Sequence, residues 1–363
     1  MADFVYIQPV KVYFGTGEFS RLSETLKELK VSRCVIACGK HFAPEAEELR
    51  STVPEVCAVF PEVEPNPQLS GVEAVVALAR ELGADAIMGI GGGSSLDTAK
   101  FAAATALGDG EVEEYYRGRP FPESRLKIIA VPTTAGTGSE VTQVSVMSCG
   151  KEKKTINNPV FMPTAAIVDP ALTVSVPPRT TMNTGLDAMA HALEGYWSKN
   201  HQPACDLFAI EAVRIILANL ENAYRDGSDM QARYNMSKAA LFAGMAFAQP
   251  KTAASHACSY PLSEDYHLPH GEACAFTLDS LVKINADERL EYLCRSVGLK
   301  DTDELAQRIA YLKKLGGLRT RLSELENVDI DKLAADCAVH PLMNNNPVKL
   351  DAAALKAMFE ALR

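Results

Sequence analysis

Short apolar runs alternate with stretches of helical periodicity over the first half of the chain. The apolar runs are rich in β-branched residues and are bounded by glycine or charge, which is typical of strands buried on both faces. They predict strands at 32–38, 56–60, 86–90 and 126–131, after an extended segment at 4–14 that ends in a turn. Apolar residues three and four apart predict the intervening helices at 18–29, 43–51, 69–82 and 96–106. This alternation indicates a parallel sheet covered by helices.

Beyond about residue 178 the strand pattern stops and helical spacing continues to the end of the chain. Helices are predicted at 181–197, 203–220, 232–248, 280–286, 287–297, 302–316, 329–338 and 351–361. A chain of 363 residues is longer than one hydrophobic core normally serves, so two domains are expected. We predict an α/β domain over 1–178 and an all-α domain over 179–363, with the boundary at Val176-Pro177-Pro178.

Composition narrows the possible partners. A net charge of −10 with interspersed acids and bases argues against nucleic acid or an anionic membrane as the main partner. The first residues lack the basic segment and apolar run of a signal peptide, and no apolar stretch approaches the roughly 18 residues of a membrane span. Nine cysteines scattered through apolar segments fit reduced thiols. We therefore expect a cytoplasmic protein that acts on small molecules.

Two loops rich in glycine and hydroxyl groups each follow a predicted strand. The first runs from Gly91 to Ser95 and opens a helix, where glycines and helix N–H groups favour a phosphate. Its spacing is not GxGxxG, and a merely tight turn is the alternative. The second covers 132–142 and could instead be an ordinary loop. Two such loops at the carboxyl ends of strands predict a bound nucleotide. The candidate contacts are Gly91, Gly92, Gly93, Ser94, Ser95, Asp97, Thr133, Thr134, Thr137 and Ser139.

Asp187 and His191 are four residues apart, which places both side chains on one face of a helix. Further along the chain, His256 and His270 lie among small and apolar residues. One carboxylate with three imidazoles is a ligand set that suits Fe(II), Zn(II) or a similar ion. A surface pair on the helix is the alternative for Asp187 and His191. We predict a metal site made by all four residues.

With these pieces in place, the chain resembles the iron-containing (group III) alcohol dehydrogenase family along essentially its whole length. The resemblance is carried by Phe14-Gly15-x-Gly17, GGGSSLDTAK at 91–100, PTTAGTGSE at 132–140, Pro163 with Asp169-Pro170, TGLDAMAHALE at 184–194, His256 and LPHG at 268–271.

The resemblance implies a dinucleotide-binding domain followed by a helical metal-binding domain, the fold that dehydroquinate synthase also has. It implies that Asp187, His191, His256 and His270 hold Fe(II), with Zn(II) possible, and that Thr133, Thr134 and Lys154 contact NAD(P)H. The implied reaction is reversible hydride transfer between the cofactor and a carbonyl or alcohol, assisted by the metal as a Lewis acid. The family also implies a homo-oligomer, such as a dimer.

Two positions depart from the family pattern. An acidic residue often follows the second strand, whereas this chain has Gly39 and Lys40, so we expect that NADPH is accepted. A second histidine often follows the third ligand and is replaced here by Tyr260, whose phenol is a weaker base near neutrality. We predict that Tyr260 or His267 relays the proton, a solvated loop histidine being the alternative for His267.

Lys251 and Thr252 stand at a predicted helix start, one turn before His256, where the family usually has a neutral stretch. With Tyr260 they predict a site for an anionic head group. The KTAxxHxxSYP pattern resembles the phosphonoacetaldehyde reductase branch, and sulfoacetaldehyde would fit the same site. The alternatives are a solvated Lys251 and a short neutral aldehyde as substrate. From other classes, a lyase like dehydroquinate synthase, a relative of glycerol-1-phosphate dehydrogenase and a non-enzymatic role also stay open.

Overall fold

The computed structural model describes residues 4–150 and 152–363. The chain divides into two compact units, which we call the sheet unit and the helical unit. The sheet unit holds residues 8–134 and 138–173, and the helical unit holds the described residues up to Ile7, the short segment 135–137 and residues 174–363. The predicted fold class, a parallel-sheet domain followed by a helical domain, is confirmed.

Apolar β-branched runs form the strands of the sheet unit. Within the described ranges the strands are β1 (Lys11–Phe14), β2 (Cys34–Cys38), β3 (Val56–Phe60), β4 (Ala86–Gly91), β5 (Lys127–Pro132), β6 (Val144–Cys149), β7 (Glu152–Asn157) and β8 (Ala165–Val168). Six of these pair in parallel in the order β1-β8-β5-β4-β2-β3. The central strands are buried on both faces, as Ile36, Ile87 and Ile129 show. Because both faces of these strands are buried, their sequences are continuous apolar runs.

Helices cover this sheet. They are α1 (Leu22–Glu28), α2 (Ala43–Thr52), α3 (Leu69–Leu82), α4 (Gly93–Thr105) and α5 (Val112–Tyr116). Helix α3 has the predicted bounds and ends at Gly83 in the left-handed conformation. Helix α4 begins at Gly93, three residues before its predicted start. It lies so close to β4 that a Cβ on Gly89 would come 2.7 Å from the Ser95 carbonyl oxygen.

Strands β6 and β7 form a β-hairpin that we did not predict. Strands β6 and β7 pair antiparallel, with Val144 opposite Asn157 and Met147 opposite Lys154. The second strand carries mostly charged and polar residues, so its sequence lacks the apolar run by which the other strands were recognised. Strand β8 was also missed, because only four residues form it.

The helical unit contains the longest helices of the chain. They are α6 (Pro178–Trp197), α7 (Pro203–Arg225), α8 (Met230–Phe247), α9 (Ala254–Glu264), α10 (His270–Ile284), α11 (Glu288–Ser296), α12 (Thr302–Leu315), α13 (Ile330–Val339) and α14 (Ala352–Ala361). Helix α6 is buried along most of its length and packs against α7, α8 and α10. Helix α10 begins ten residues before its predicted start at 280. None of the helices in the described ranges has both the length and the apolar character needed to cross a bilayer.

Candidate metal centre

Three helices of the helical unit bring the four predicted metal ligands together. Helix α6 supplies Asp187 and His191 from one face, α9 supplies His256, and α10 begins with His270. The start of α10 lies directly against α6. The two helices are so close at this point that a Cβ on Gly271 would overlap the carbonyl group of Asn183. Only glycine permits this approach, and the approach carries His270 to Asp187.

The donor atoms of these side chains converge. Oδ1 of Asp187 lies 3.7 Å from Nε2 of His256 and 3.7 Å from Nε2 of His270. The Nε2 atoms of His191 and His256 are 3.0 Å apart. Asp187 is 2% exposed, whereas the side chain of His270 is 43% exposed. The cluster is therefore closed on the α6 side and open at His270.

This arrangement fits a divalent cation. Oδ1 of Asp187 and Nδ1 of His191 are buried and, within the described ranges, have no hydrogen-bond partner. A buried polar atom without a partner costs about 1–3 kcal/mol, which a bound cation near Asp187 would offset. Two nitrogens on one ion at about 2.0–2.1 Å lie roughly 3.0–3.4 Å apart, close to the separation of His191 and His256. The donor set of one carboxylate and three imidazoles suits iron(II) or zinc(II).

The electrostatics of the cluster also suit a cation. Burial alone would raise the pKa of Asp187, but the neighbouring His191 and His256 outweigh it and hold this pKa below its usual range. Burial lowers the pKa of His191 to about 3. Asp187 is therefore an anion and His191 a neutral imidazole at neutral pH. These are the protonation states that metal binding requires.

The predicted cofactor loops meet in the sheet unit. Gly91 has a φ of 148°, a conformation that favours glycine, and α4 opens two residues later. The Thr133 N–H donates to the Gly91 carbonyl at 2.9 Å, which ties the second loop to the first. A Cβ on Gly92 would meet the Thr134 hydroxyl at 3.5 Å. Gly93 and Ser94 form the first turn of α4 and are partly exposed, whereas Ser95 is buried.

Asp97 and Ser139 are hydrogen-bonded to each other. The Ser139 hydroxyl donates to Oδ1 of Asp97 at 2.7 Å, and the Val146 N–H donates to Oδ2 at 2.9 Å. The buried ammonium of Lys100 donates to the Ser139 hydroxyl at 2.7 Å. Burial raises the pKa of Asp97 and lowers that of Lys100 to about 8. Their polar groups thus join α4 to the second loop and to β6, and their contacts with a cofactor stay predictions.

Comparison with known proteins identifies the family. The family model for iron-containing alcohol dehydrogenases matches residues 9–170, and the model for the C-terminal part of this family matches residues 181–362. The chain belongs to the iron-containing alcohol dehydrogenase family. The predicted family and enzyme class, an alcohol dehydrogenase or aldehyde reductase, are thereby confirmed.

Relatives within this family act on different substrates. The sulfoacetaldehyde reductase of Bifidobacterium kashiwanohense, solved in complex with NAD⁺, has a TM-score of 0.96 and 38% identity, covering 100% of this chain and 99% of that one. Long-chain-alcohol dehydrogenase 1 of Geobacillus thermodenitrificans is 36% identical over 324 residues, 84% of this chain and 81% of its own length. The sulfoacetaldehyde reductase of Bilophila wadsworthia is 32% identical over 290 residues, 76% of this chain and 72% of its own.

Glu194 holds the metal-ligand candidate His256 in place, a role that we did not predict. It is fully buried, and Oε2 of its carboxylate meets Nδ1 of His256. A proton on Nδ1 leaves the Nε2 lone pair of His256 directed at the cluster, and such a carboxylate partner commonly fixes a ligating histidine. A signal was present in the sequence, because Glu194 lies one turn beyond His191 on α6.

Cys274 was also missed. It lies on α10 one turn beyond His270, and its Sγ is 3.7 Å from Nε2 of that histidine. One donor atom from each of Asp187, His256, His270 and Cys274 can be chosen so that all lie within 4.8 Å of one another. The signal in the sequence is the i, i+4 spacing, which is the same as that of Asp187 and His191.

Lys251 and Thr252 do not stand at an open helix start. Helix α9 begins at Ala254, and the N–H of Ser255 donates to Oε1 of Glu194 at 2.6 Å. The positive end of this helix is thus occupied by a carboxylate of the protein itself, which corrects the predicted helix-start anion site. Lys251 is exposed in the turn before the helix, with a φ of 67°. Thr252 is buried and its carbonyl accepts from the Asn345 amide at 2.8 Å.

Tyr260 has an aromatic partner that we did not predict. The ring of His340 lies 4.4 Å from the ring of Tyr260, with 24° between their planes. His267, the predicted alternative relay, is exposed in a turn before α10 and has a φ of 55°. The structure thus provides Tyr260 with an imidazole from a distant part of the sequence, and no local spacing could have indicated it.

The remaining predicted cofactor residues are distributed as follows. Gly39 follows β2 in extended conformation, and Lys40 is exposed. Lys154 on β7 pairs with Glu152 at 3.0 Å and lies 4.7 Å above the ring of Tyr116. Thr137 belongs to the short segment counted with the helical unit. Their contacts with a cofactor stay predictions.

Proposed function

We propose that this protein catalyses the reversible reduction of a short anionic aldehyde to its alcohol, with a nicotinamide cofactor and iron(II) or zinc(II). The observation that carries the proposal is the buried convergence of Asp187, His191 and His256 with the more open His270. When bound, the metal supplies Lewis acidity and the nicotinamide supplies the hydride.

The side chains around this cluster prepare it for the ion. Asp187 brings the negative charge, and His191 brings a neutral nitrogen donor. Burial lowers the pKa of His256, but the neighbouring Cys274 and Glu194 outweigh it and raise this pKa, so metal binding would displace a proton from His256. Glu194 receives the Nδ1 proton of His256 in a hydrogen bond and also holds the start of α9 through Ser255. Because Glu194, Ser255 and His256 are buried and hydrogen-bonded to one another, the position of His256 is set before any ligand arrives.

For the cofactor, we infer that Gly91, Gly92, Gly93, Ser94 and Ser95 hold the pyrophosphate. Gly91 and Gly92 leave the backbone accessible, and the N–H groups at the start of α4 favour an anion. Thr133, Thr134, Thr137 and Lys154 are the further contacts proposed. The similarity to a sulfoacetaldehyde reductase solved with NAD⁺ supports NADH as a substrate of this chain.

We further infer that NADPH is accepted. The residue after β2 is Gly39, which brings no negative charge, and the exposed Lys40 beside it is a cation. A 2′-phosphate therefore meets no carboxylate from this position of the chain.

For the substrate, we infer that Lys251 recognises the anionic head group. Its ammonium forms no ion pair with any residue in the described ranges. Its left-handed backbone conformation costs about 1 kcal/mol in a non-glycine residue and is held by a 2.8 Å bond from the Lys251 N–H to the Phe247 carbonyl. A lysine whose backbone is strained and held five residues before His256 suits a functional role, and its exposed ammonium is accessible to a head group.

A sulfonate is the head group we favour, because two relatives are named as sulfoacetaldehyde reductases. Phosphonoacetaldehyde is the second candidate, on the pattern Lys251-Thr252-Ala253 followed by His256. Both head groups are tetrahedral oxyanions that a lysine binds as a point charge.

Tyr260 is the residue that we propose to move the proton. The stacked His340 fixes the orientation of its ring. Tyr260→Phe removes the phenol and keeps the ring, so kcat should fall while the protein still folds and binds metal. If kcat is unchanged and His267→Ala lowers it, the relay is His267.

The test is a comparison of kcat/KM for sulfoacetaldehyde, phosphonoacetaldehyde and propionaldehyde with iron-loaded protein, using NADH and NADPH in turn. We expect the anionic aldehydes to be preferred, and Lys251→Ala to raise their KM by about tenfold, the loss of one charge-assisted contact. Propionaldehyde should not respond to Lys251→Ala. The matched control is Lys314→Ala, an exposed lysine on α12.

Equal use of propionaldehyde, with no effect of Lys251→Ala, would replace this proposal by a general alcohol dehydrogenase. A protein that binds metal and cofactor but oxidises no NAD(P)H with any carbonyl would favour a lyase or a non-enzymatic binding role instead. These outcomes are distinct, since the first changes only the substrate and the second changes the reaction.

A further inference from the structure

Cys274 belongs geometrically to the metal cluster, although the family resemblance implies only four ligands. It is fully buried on α10, one turn beyond His270. Its candidate donor atom lies within 4.8 Å of candidate donor atoms from Asp187, His256 and His270. Donors on opposite sides of one ion are separated by roughly 4–4.6 Å, since metal–nitrogen and metal–sulfur bonds measure about 2.0–2.3 Å. The sulfur is therefore close enough to share an ion with these residues.

A second observation points to a ligand at the same place. Oδ1 of Asp187 is buried and has no hydrogen-bond partner within the described ranges, and it lies 3.7 Å from Nε2 of both His256 and His270. The carboxylate oxygen, the two imidazoles and the thiol thus surround one point, and the carboxylate oxygen there has no partner among them. A cysteine that merely packs would have apolar neighbours on all sides.

Cys294 shows what such a packing cysteine looks like. It lies on α11, and both cysteines are fully buried in the apolar core of the helical unit. It is not among the residues whose donor atoms form the candidate metal group of the described chain. Cys294 is therefore the matched control for Cys274.

We propose that the sulfur of Cys274 is a direct metal donor, in addition to the carboxylate and imidazoles. A soft sulfur ligand favours zinc(II), cobalt(II) and iron(II) over the harder manganese(II) and magnesium(II). Cys274 would thus set which metal this protein retains. The inference rests on the metal site of the proposed function, but it does not depend on the identity of the substrate.

The test uses the full-length protein loaded with cobalt(II) and read by absorption spectroscopy. A sulfur-bound cobalt(II) gives a sulfur-to-metal charge-transfer band in the near ultraviolet in addition to its visible ligand-field bands. We expect both features in the unmodified protein and in Cys294→Ser. In Cys274→Ser and Cys274→Ala the charge-transfer band should vanish while the visible bands remain.

Metal competition gives a second readout that a packing role would not change. Cys274→Ser should weaken zinc(II) binding by about tenfold or more, as losing one ligand-sphere contact commonly does, and should affect manganese(II) binding much less. Equal weakening for both ions would indicate a structural defect and overturn the proposal.

The outcomes separate this inference from the proposed function. Visible cobalt bands without a charge-transfer band in the unmodified protein would overturn the role of Cys274 and leave the metal site intact. The absence of any cobalt bands would overturn both. Thermal unfolding of the Cys274→Ala variant shows whether that protein is folded when its spectrum is recorded.

Discussion

The cofactor loop and the metal centre prepare this chain for ligands in opposite ways. The loop after β4 offers backbone: Gly91 takes a φ of 148°, and the helix start at Gly93 presents its N–H groups. The metal centre offers side chains, brought from α6, α9 and α10 and largely buried. Beside the loop, the carboxylate of Asp97 on α4 accepts hydrogen bonds from Ser139 and Val146, so both of its oxygens have partners within the protein. In the metal centre, Asp187 retains an oxygen without a partner.

This difference teaches how each region can fail. A backbone site fails when a new side chain fills the space the ligand needs, and it tolerates the loss of most side chains nearby. A buried side-chain site fails when one charged partner is removed, because the remaining groups lose their compensation. The variants below test this contrast, beginning with the largest expected effect.

Asp187→Asn should affect the metal centre alone. The amide keeps the shape of the carboxylate but removes its charge, so we expect metal content to fall and kcat/KM to drop by about a thousandfold, the scale of several kcal/mol of lost metal assistance. NADH affinity, measured by fluorescence titration, should not change. Asp265→Asn, an exposed residue paired with Lys332, is the control. Normal metal content in Asp187→Asn would contradict the assignment.

Two glycine substitutions separate the regions. Gly271→Ala places a Cβ against the carbonyl group of Asn183, so it should destabilise the protein by about 1–3 kcal/mol and reduce metal content. Gly92→Ala places its Cβ 3.5 Å from the Thr134 hydroxyl, an ordinary contact. That variant should fold and bind metal normally but show a higher KM for NADH. Thermal unfolding, metal analysis and steady-state kinetics measure the three quantities. The contrast is wrong if the two variants behave alike.

Glu194→Gln should weaken the metal centre without emptying it. The amide no longer supplies the charge that holds the Nδ1 proton of His256, so we expect metal affinity to fall by about 10- to 100-fold. A competition titration with a chelating dye measures this affinity. An unchanged affinity would mean that the carboxylate only caps α9.

Lys40→Ala should give the smallest effect. An exposed cation contributes about 0.3–1 kcal/mol, so kcat/KM for NADPH should fall by roughly two- to fivefold and that for NADH should stay the same. Paired assays with the two cofactors measure the ratio. A parallel loss for both cofactors would show that Lys40 does not contact the 2′-phosphate.

The bounds of helices and strands were predicted well where they depend on residues close together in the sequence. Helix α3 and strand β3 have their predicted bounds, because amphipathic spacing and an apolar run mark them clearly. The start of α10 was missed, since Pro269 and Gly271 are turn signals and the helix is held there by packing against Asn183. The hairpin of β6 and β7 was missed because β7 has few apolar residues.

The candidate site divides in the same way. Asp187 and His191 follow from helical spacing, and the two later histidines follow from the family resemblance. Glu194 and Cys274 also lie one helical turn from a predicted ligand. Their contacts with the cluster were recognised only in the structure, because these contacts depend on how α6, α9 and α10 pack together. His340 gave no local signal, because its contact with Tyr260 spans eighty residues of sequence.

The central claim is that Asp187, His191, His256 and His270 hold one divalent metal. Anomalous X-ray diffraction from crystals of iron- or zinc-loaded protein, recorded on both sides of the absorption edge, tests it directly. We expect one strong anomalous peak per chain within bonding distance of these four side chains. No peak in this cluster, or a peak bound by other residues, would contradict it.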